Sequence, residues 1–438
     1  MKRPILFALS AFLSIATQLH AADAWRAPSE SQIDTIYPQM ESLYLDLHRN
    51  PELSLHEEKT AAKMAENLRR LGFDVTTGVG GTGVVGVLKN GAGPTVMFRA
   101  ELDALPVLEK TGLPYASQVT TKNDQGAVVP VMHACGHDLH MAVAIGTATL
   151  LAQNKDKWRG TYIFVGQPAE ERVMGAAAMV KDGLFTRFPH PDFALTLHDT
   201  QYLPAGKVGY TSGYELSNAD AVDVTIYGRG GHGAAPWLTV DPIVIAARTV
   251  LAWQTIISRE ISPFDPALIT VGSIHGGTKH NIIPDEVHLQ LTVRSYKDEV
   301  RKHLLSSIER IAKAEAEAAG AEKAPLVQVS ESTWAVYNDP AVTQRVAGAL
   351  KQTLGAANVQ EMPPLMVSDD FSEYGHAGVP SFDFWLGAVE PAKFEAAKKS
   401  GEILPGLHSA LFAPDLKPSL QTGIAAETTA VLELLGKP

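Results

Sequence analysis

The sequence predicts an α/β protein, a mixed-sheet α/β unit interrupted by a smaller inserted α+β unit of ferredoxin-like order. Three observations carry this expectation. The chain has 438 residues, more than one hydrophobic core normally serves. Short apolar runs of β character alternate with helical apolar spacing through the first half, as in an open sheet with crossover helices. Beyond about residue 213 the order becomes β-α-β-β-α-β, the split arrangement of a ferredoxin-like unit.

Taken in order, residues 1–22 begin with Lys2 and Arg3, continue as an apolar stretch from Ile5 to Ala16 and end in small residues. That is the composition of a secretory signal, too short to span a bilayer comfortably. The mature chain is expected to be secreted, or periplasmic in a bacterium, without a stable membrane anchor. Between 33 and 71, Ile36, Met40, Leu43 and Leu47, then Ala61, Met64, Ala65 and Leu68, have helical spacing, and Asn50-Pro51 separates two helices. Runs at 84–88 and 95–99 read as strands, and 139–153 reads as an apolar helix capped by Asp138.

Strands at 161–166 and 193–197 lead directly into Glu170-Glu171 and His198-Asp199. Binding sites of open α/β sheets gather beyond the carboxyl ends of strands, so these segments are expected to converge. In the insertion, 213–331, the pattern gives strand 221–227, helix 241–258, strands 268–275 and 286–294, helix 297–319 and strand 326–331. Residues 332–438 then rejoin 23–212 to complete the first unit, and they bring His408.

Apolar residues make up 45% and charged residues 19% of the chain, ordinary globular usage that argues against disorder. A formal charge of -11 offers no attraction to phosphate backbones or anionic lipid, so nucleic acid is a poor candidate partner. The single cysteine, Cys135, cannot form an internal disulfide. In an oxidising compartment ligation or burial would protect it.

Cys135 and His137 stand at i and i+2, on one side of an extended backbone, where both can turn toward one metal. With Glu171, His198 and His408 they are enough for two divalent ions when one residue bridges. The mixed ligand set admits Zn, Mn, Co or Ni. Of the adjacent carboxylates, Glu171 is assigned as ligand and Glu170 as the general base that faces water. Taken singly, a Glu pair is ordinarily a solvated surface and a lone histidine a satisfied structural residue; the set is what points to chemistry.

These residues lie in segments that resemble the metal-dependent amidohydrolases and carboxypeptidases grouped with aminoacylase, hippurate hydrolase and the auxin-amino-acid conjugate hydrolases. The likeness is carried by DLHRNPELSLHE at 46–57, FRAELDALPV at 98–107, MHACGHDLHMA at 132–142, GQPAEE at 166–171, LHD at 197–199, GRGGHGAAP at 228–236, HNIIPDE at 280–286, SDDF at 368–371 and LHSALF at 407–412. It implies the metal set Cys135, His137, Glu171, His198 and His408 with Glu170 as base. It also implies an inserted domain that forms a homodimer and supplies His232 to stabilise an oxyanion, Asn281 and Arg294 as groups for a substrate carboxylate, and Asp103 as an acid that orients a ligand. Three positions depart from the pattern: Glu101 where aspartate is common, Trp237 where histidine is common, and Asp369 where glutamate is usual. Trp237 is expected to reshape or cover the cleft, and Glu101 to alter packing behind the ligands.

The activity expected is hydrolysis of the amide of an N-acyl amino acid or short peptide. Two rivals remain open on sequence alone, a thiol hydrolase using Cys135 as nucleophile and an exported non-catalytic protein that holds a peptide or metal.

Overall fold

The computed structural model describes residues 25–437. The signal segment expected at 1–22 lies outside them. An eight-stranded mixed sheet runs in the order Asp74–Val79, Gly83–Asn90, Gly160–Gln167, Thr95–Glu101, Phe193–Pro204, Ser381–Val389, Val208–Tyr210, Val359–Glu361. Its four central strands, from Gly160–Gln167 to Ser381–Val389, are parallel to one another.

Those strands are buried on both faces, as parallel strands must be when helices cover each side. Side-chain alternation sorts the core. Phe98 and Ala100, Tyr162 and Phe164, and Leu195 and Leu197 face the helices Glu30–Arg49, Glu58–Arg70, His137–Gln153, Pro340–Leu354 and Leu416–Leu434. Met97, Ile163, Val165 and Ala194 face the other side, against Met179, Phe371 and Tyr374. His137–Gln153 is buried through Leu151, packed between the sheet and its neighbouring helices. Its near-uniform apolarity is therefore that of a central helix.

This helix starts at His137, and the cap is Gly136 rather than Asp138. Gly136 has φ +75°, and a Cβ there would stand 2.3 Å from Asp199 Oδ2, so only glycine fits the turn. Asp138 lies in the first helical turn and binds His48 Nδ1 at 2.6 Å instead.

A separate antiparallel sheet in the order Ala267–His275, Glu286–Ser295, Asn218–Tyr227, Leu326–Thr333 has the ferredoxin-like strand order. It packs on the helices Pro242–Thr255 and Asp298–Ala318 around Val222, Trp253, Leu289 and Ile308. The first of these helices continues as a π turn, Ile256–Glu260. Two short paired strands, Gly213–Leu216 and Val336–Asn338, join this unit to the larger one.

Candidate metal centre

The strands Thr95–Glu101 and Gly160–Gln167 end side by side, Glu101 opposite Gln167, and the chain beyond them supplies Asp103 and Glu170-Glu171. Glu170–Arg172 is a single 3-10 turn flanked by Ala169 and Val173, both at positive φ. Non-glycine residues rarely take that conformation, and surrounding contacts must hold them there. One is the Ala169 amide, which donates to Glu57 Oε1 at 2.9 Å. His408 also has positive φ, 65°, and its amide donates to the Ala134 carbonyl at 2.8 Å. The loop from the far end of the chain is thus pinned to the turn that carries Cys135.

All five expected donors come together. His137 Nε2 lies 3.9 Å from Glu171 Oε1 and 3.9 Å from Glu170 Oε2. His408 Nε2 lies 3.3 Å from Glu171 Oε2, and Cys135 Sγ lies 3.5 Å from His198 Nε2. Cys135, Glu170, Glu171, His198 and His408 line one cavity of about 670 Å³.

The bonds behind the histidines set which nitrogen faces inward. His137 Nδ1 donates to the Asp103 carbonyl at 2.8 Å, and His198 Nδ1 donates to the Asp199 carbonyl at 2.8 Å. Each ring then presents an Nε2 lone pair, the form a metal needs. The Asp103 carboxylate accepts from Ser54 Oγ at 2.6 Å and from the Glu171 amide at 3.0 Å, so Asp103 holds two of the expected donors, His137 and Glu171, in place.

His137 Nε2 and Glu171 Oε1 are buried without a hydrogen-bond partner, a costly arrangement; with the ring neutral both offer lone pairs that a divalent cation would satisfy. Charge agrees. Burial opposes ionisation of His137, yet its bond to Asp103 and the charges of Glu101, Asp103 and Glu171 outweigh it and push the pKa up to about 10. Glu171 is pushed up to about 7, first by burial, with Asp103 and Glu101 adding to it against His137. The site binds protons where it lacks positive charge. Burial, then Glu171, Glu170 and Asp199, also hold the Cys135 thiol well above its ordinary range, the opposite of what a nucleophilic thiol requires and a state that a bound cation reverses.

Behind the donors lies a buried network that sequence reasoning did not foresee. Arg99, 0% exposed, donates from Nε to Gln167 Oε1 at 2.9 Å, from Nη1 to Glu101 and to Asp369 Oδ2 at 3.1 Å, and from Nη2 to Asp369 Oδ1 at 2.7 Å and Asp370 Oδ1 at 3.0 Å. Two of the three departures noted above, the longer acid Glu101 and the shorter Asp369, therefore meet on one guanidinium nitrogen. Glu101 also binds His140 Nδ1 at 2.9 Å, and Asp199 Oδ1 lies 3.2 Å from His140 Nε2. His140 was visible three residues beyond His137; its role in tying Glu101 to Asp199 needed the fold.

The remaining expected residues sit elsewhere. Arg294 lines the cavity, half-buried, with Nη1 donating to Ser368 Oγ at 2.7 Å. His232 and Asn281 are exposed on the smaller unit and do not line the cavity of their own chain. Trp237 is 77% exposed and does not line it either; the expectation that it covers the cleft is not met within the chain, because it lies in a surface turn, Pro236–Leu238.

The sequence profile of peptidase family M20/M25/M40 matches residues 97–401. The chain belongs to this family. It is a metallo-amidohydrolase of the M20 type, as the resemblance implied. Among M20 relatives, thermostable carboxypeptidase 2 of Saccharolobus solfataricus is 35% identical over 396 residues, covering 89% of this chain and 94% of the relative. The hippurate hydrolase of Campylobacter jejuni is 35% identical over 338 residues, covering 76% and 84%. The crystal structure of Bacillus subtilis YXEP, a dinuclear metal binding peptidase from the M20 family, aligns with a TM-score of 0.72 at 26% identity, over 92% of this chain and 99% of that one.

Proposed function

We propose that this enzyme releases a free amino acid from an N-acyl amino acid or a short peptide, with Glu170 as the general base. Cys135, His137, Glu171, His198 and His408 would hold two divalent ions, Zn, Mn, Co or Ni, one residue bridging. Such ions, when bound, polarise a carbonyl and make water acidic near neutral pH.

Glu170 carries the reading. Its carboxylate stands at the edge of the donor set, 3.9 Å from His137 Nε2, without being needed to complete that set. Burial, and then the charges of Asp369, Glu171 and Asp370, raise its pKa well above the ordinary carboxylate range, against Arg99. A carboxylate with raised proton affinity suits both halves of the task, taking a proton from water and passing it to the leaving nitrogen. A protein that only held a peptide or a metal would have no use for it. Arg294, on the cavity wall, is the cation for a substrate carboxylate. The relatives named carboxypeptidase and hippurate hydrolase support this substrate class.

The smaller unit pairs with its copy in a homodimer. Its edge strand Ala267–His275 and the helix Pro242–Thr255 expose Ile274, Ile243, Val244 and Leu251, apolar surface that a partner would cover. His232 and Asn281, absent from their own chain's cavity, then serve the partner's, His232 stabilising the oxyanion and Asn281 the substrate carboxylate. The leader composition of 1–22 supports export to the periplasm or beyond.

Glu170→Gln tests the central step. Elemental analysis is expected to find the wild-type metal content, while amine release from a panel of N-acyl amino acids falls by about 10²–10⁴-fold. Wild-type turnover in that variant removes Glu170 as the base.

A further inference from the structure

A second cavity, of about 440 Å³, opens at the seam between the two units, away from the donor set. Its wall draws on both units and on the strands that join them: Tyr296, Asp298 and Glu299 from the smaller unit, 375–381 from the larger, and Tyr214 and Tyr337 from the connecting pair. From these residues we infer that the seam cavity is a binding site for an organic cation, an alkylammonium or guanidinium group on an apolar body.

Aromatic rings supply the apolar and cation-attracting surface. Tyr214 packs on Tyr296 and Tyr337 with ring centroids 5.8 and 5.0 Å apart, giving a continuous aromatic wall whose faces favour positive charge. Tyr296 is only 7% exposed and lines the cavity, with a hydroxyl that makes no hydrogen bond to another described residue and is open to solvent rather than buried. A phenol oxygen that is open to a cavity can accept from a ligand donor as it does from water. The hydroxyls of Tyr214 and Tyr337 are likewise without partners among the described residues.

The charges are complementary. Asp298 and Glu299 form no ion pair among the described residues. Their place in the first turn of Asp298–Ala318 suits the helix dipole, but that leaves the tyrosine hydroxyls unexplained. The neighbouring cations are paired, although the Arg301 guanidinium also stands 4.5 Å over the ring of the wall residue Trp334, on which His376 stacks. Lys297 Nζ is held by Asp265 at 2.6 Å, and Arg301 binds Asp220 through two bonds of 2.8 and 2.7 Å. Burial first, and then the negative charges of Glu299 and Asp298, raise the pKa of Tyr214 against Lys297, so both acids and one cation stand beside the aromatic wall. The volume lies within the range of small-ligand sites.

Calorimetric titration of the full-length, metal-loaded protein with n-butylammonium, with n-butylguanidinium and with neutral 1-butanol tests this. One cation per chain is expected to bind with roughly millimolar affinity or better, and the alcohol is expected not to bind; the two cations separate ammonium from guanidinium preference. Asp298→Asn combined with Glu299→Gln, both exposed positions, should weaken binding about tenfold while hydrolysis is unchanged. Tyr296→Phe should weaken it severalfold. Hydrogen exchange at 213–216 and 336–338 should slow when the cation binds. Failure of both cations to bind at roughly 10 mM, equal binding of the alcohol, wild-type affinity in the double variant, or binding without protection at the connecting strands each overturns the proposal.

Discussion

Replacing Arg99 with methionine keeps the length of the side chain and removes the guanidinium that pairs with three buried carboxylates. The three do not suffer equally. Glu101 keeps its bond to His140 at 2.9 Å, and Asp370 keeps Gln167 Nε2 at 2.6 Å and the Ala176 amide at 2.9 Å. Asp369 loses both guanidinium contacts and retains only the Phe371 amide at 2.8 Å. Breaking a buried ion pair by removing one partner costs about 3–5 kcal/mol, and that is the loss expected at pH 8. The loss should depend on pH, with a definite sign. Burial raises Asp370 to about 7 even with Arg99 lowering it; without the guanidinium the folded state binds protons more tightly than the unfolded chain does. Stability present at low pH is then lost as pH rises, so the penalty at pH 5 should shrink to roughly 1–2 kcal/mol. Urea denaturation of the metal-loaded protein, followed by circular dichroism and tryptophan fluorescence at the two pH values, measures this. A penalty under about 1 kcal/mol at pH 8, or one that is the same at both pH values, refutes the account of Arg99 as the charge that holds the acids together.

Glu101→Asp and Asp369→Glu should each destabilise by about 1–3 kcal/mol, yet the double variant should lose at least about 1 kcal/mol less than their sum, because both side chains reach Arg99 Nη1; additive denaturation midpoints would show that the two acids are independent. Gly136→Ala sets a methyl 2.3 Å from Asp199 Oδ2, between the donors Cys135 and His137. Metal retained after dialysis should fall while the far-ultraviolet spectrum stays native, and full retention would mean that the turn relaxes freely. Glu427 is fully buried, and burial first raises its pKa well above the ordinary range, against its bond from Tyr162 at 3.2 Å. The stability it contributes is complete below its unfolded value and disappears as pH climbs to the folded one. Glu427→Gln should therefore gain on the wild type between pH 5 and pH 9 in thermal melts, and parallel curves would contradict the raised pKa.

The order of elements was legible because hydrophobic spacing and chain breakers are local. The helix pair before Gly72, the strand leading to Glu171 and the β-α-β-β-α-β run stand where their periods place them, within a few residues at the ends, but the strand expected at 193–197 continues to Pro204, so His198 and Asp199 lie within it rather than beyond its end. The donors were legible as a set because sulfur, imidazole and carboxylate at strand ends suggest one purpose. What sequence hid depends on contacts between distant segments. Arg99 occupies a strand position that alternation sends to the second face, and nothing local says that Asp369 and Asp370, some 270 residues away, receive it there. Asp138 looked like a cap because acids favour helix starts, but the space beside Asp199 admits only a glycine at that turn. For His232 and Asn281 the single chain offers exposure and no place in the cavity, so the shared site proposed for them would leave no mark within one chain.

Of the five expected donors, His408 arrives last by far, more than two hundred residues after His198, on a loop held by the hydrogen bonds His408 N–H to the Ala134 carbonyl and Lys110 N–H to the Ala410 carbonyl. A nascent chain still on the ribosome cannot close the cage until nearly all of it has emerged. Any product that stops short of this loop, through premature termination or a protease cut, folds around four donors at most. Completion of the proposed two-ion cage would thereby be confined to finished molecules.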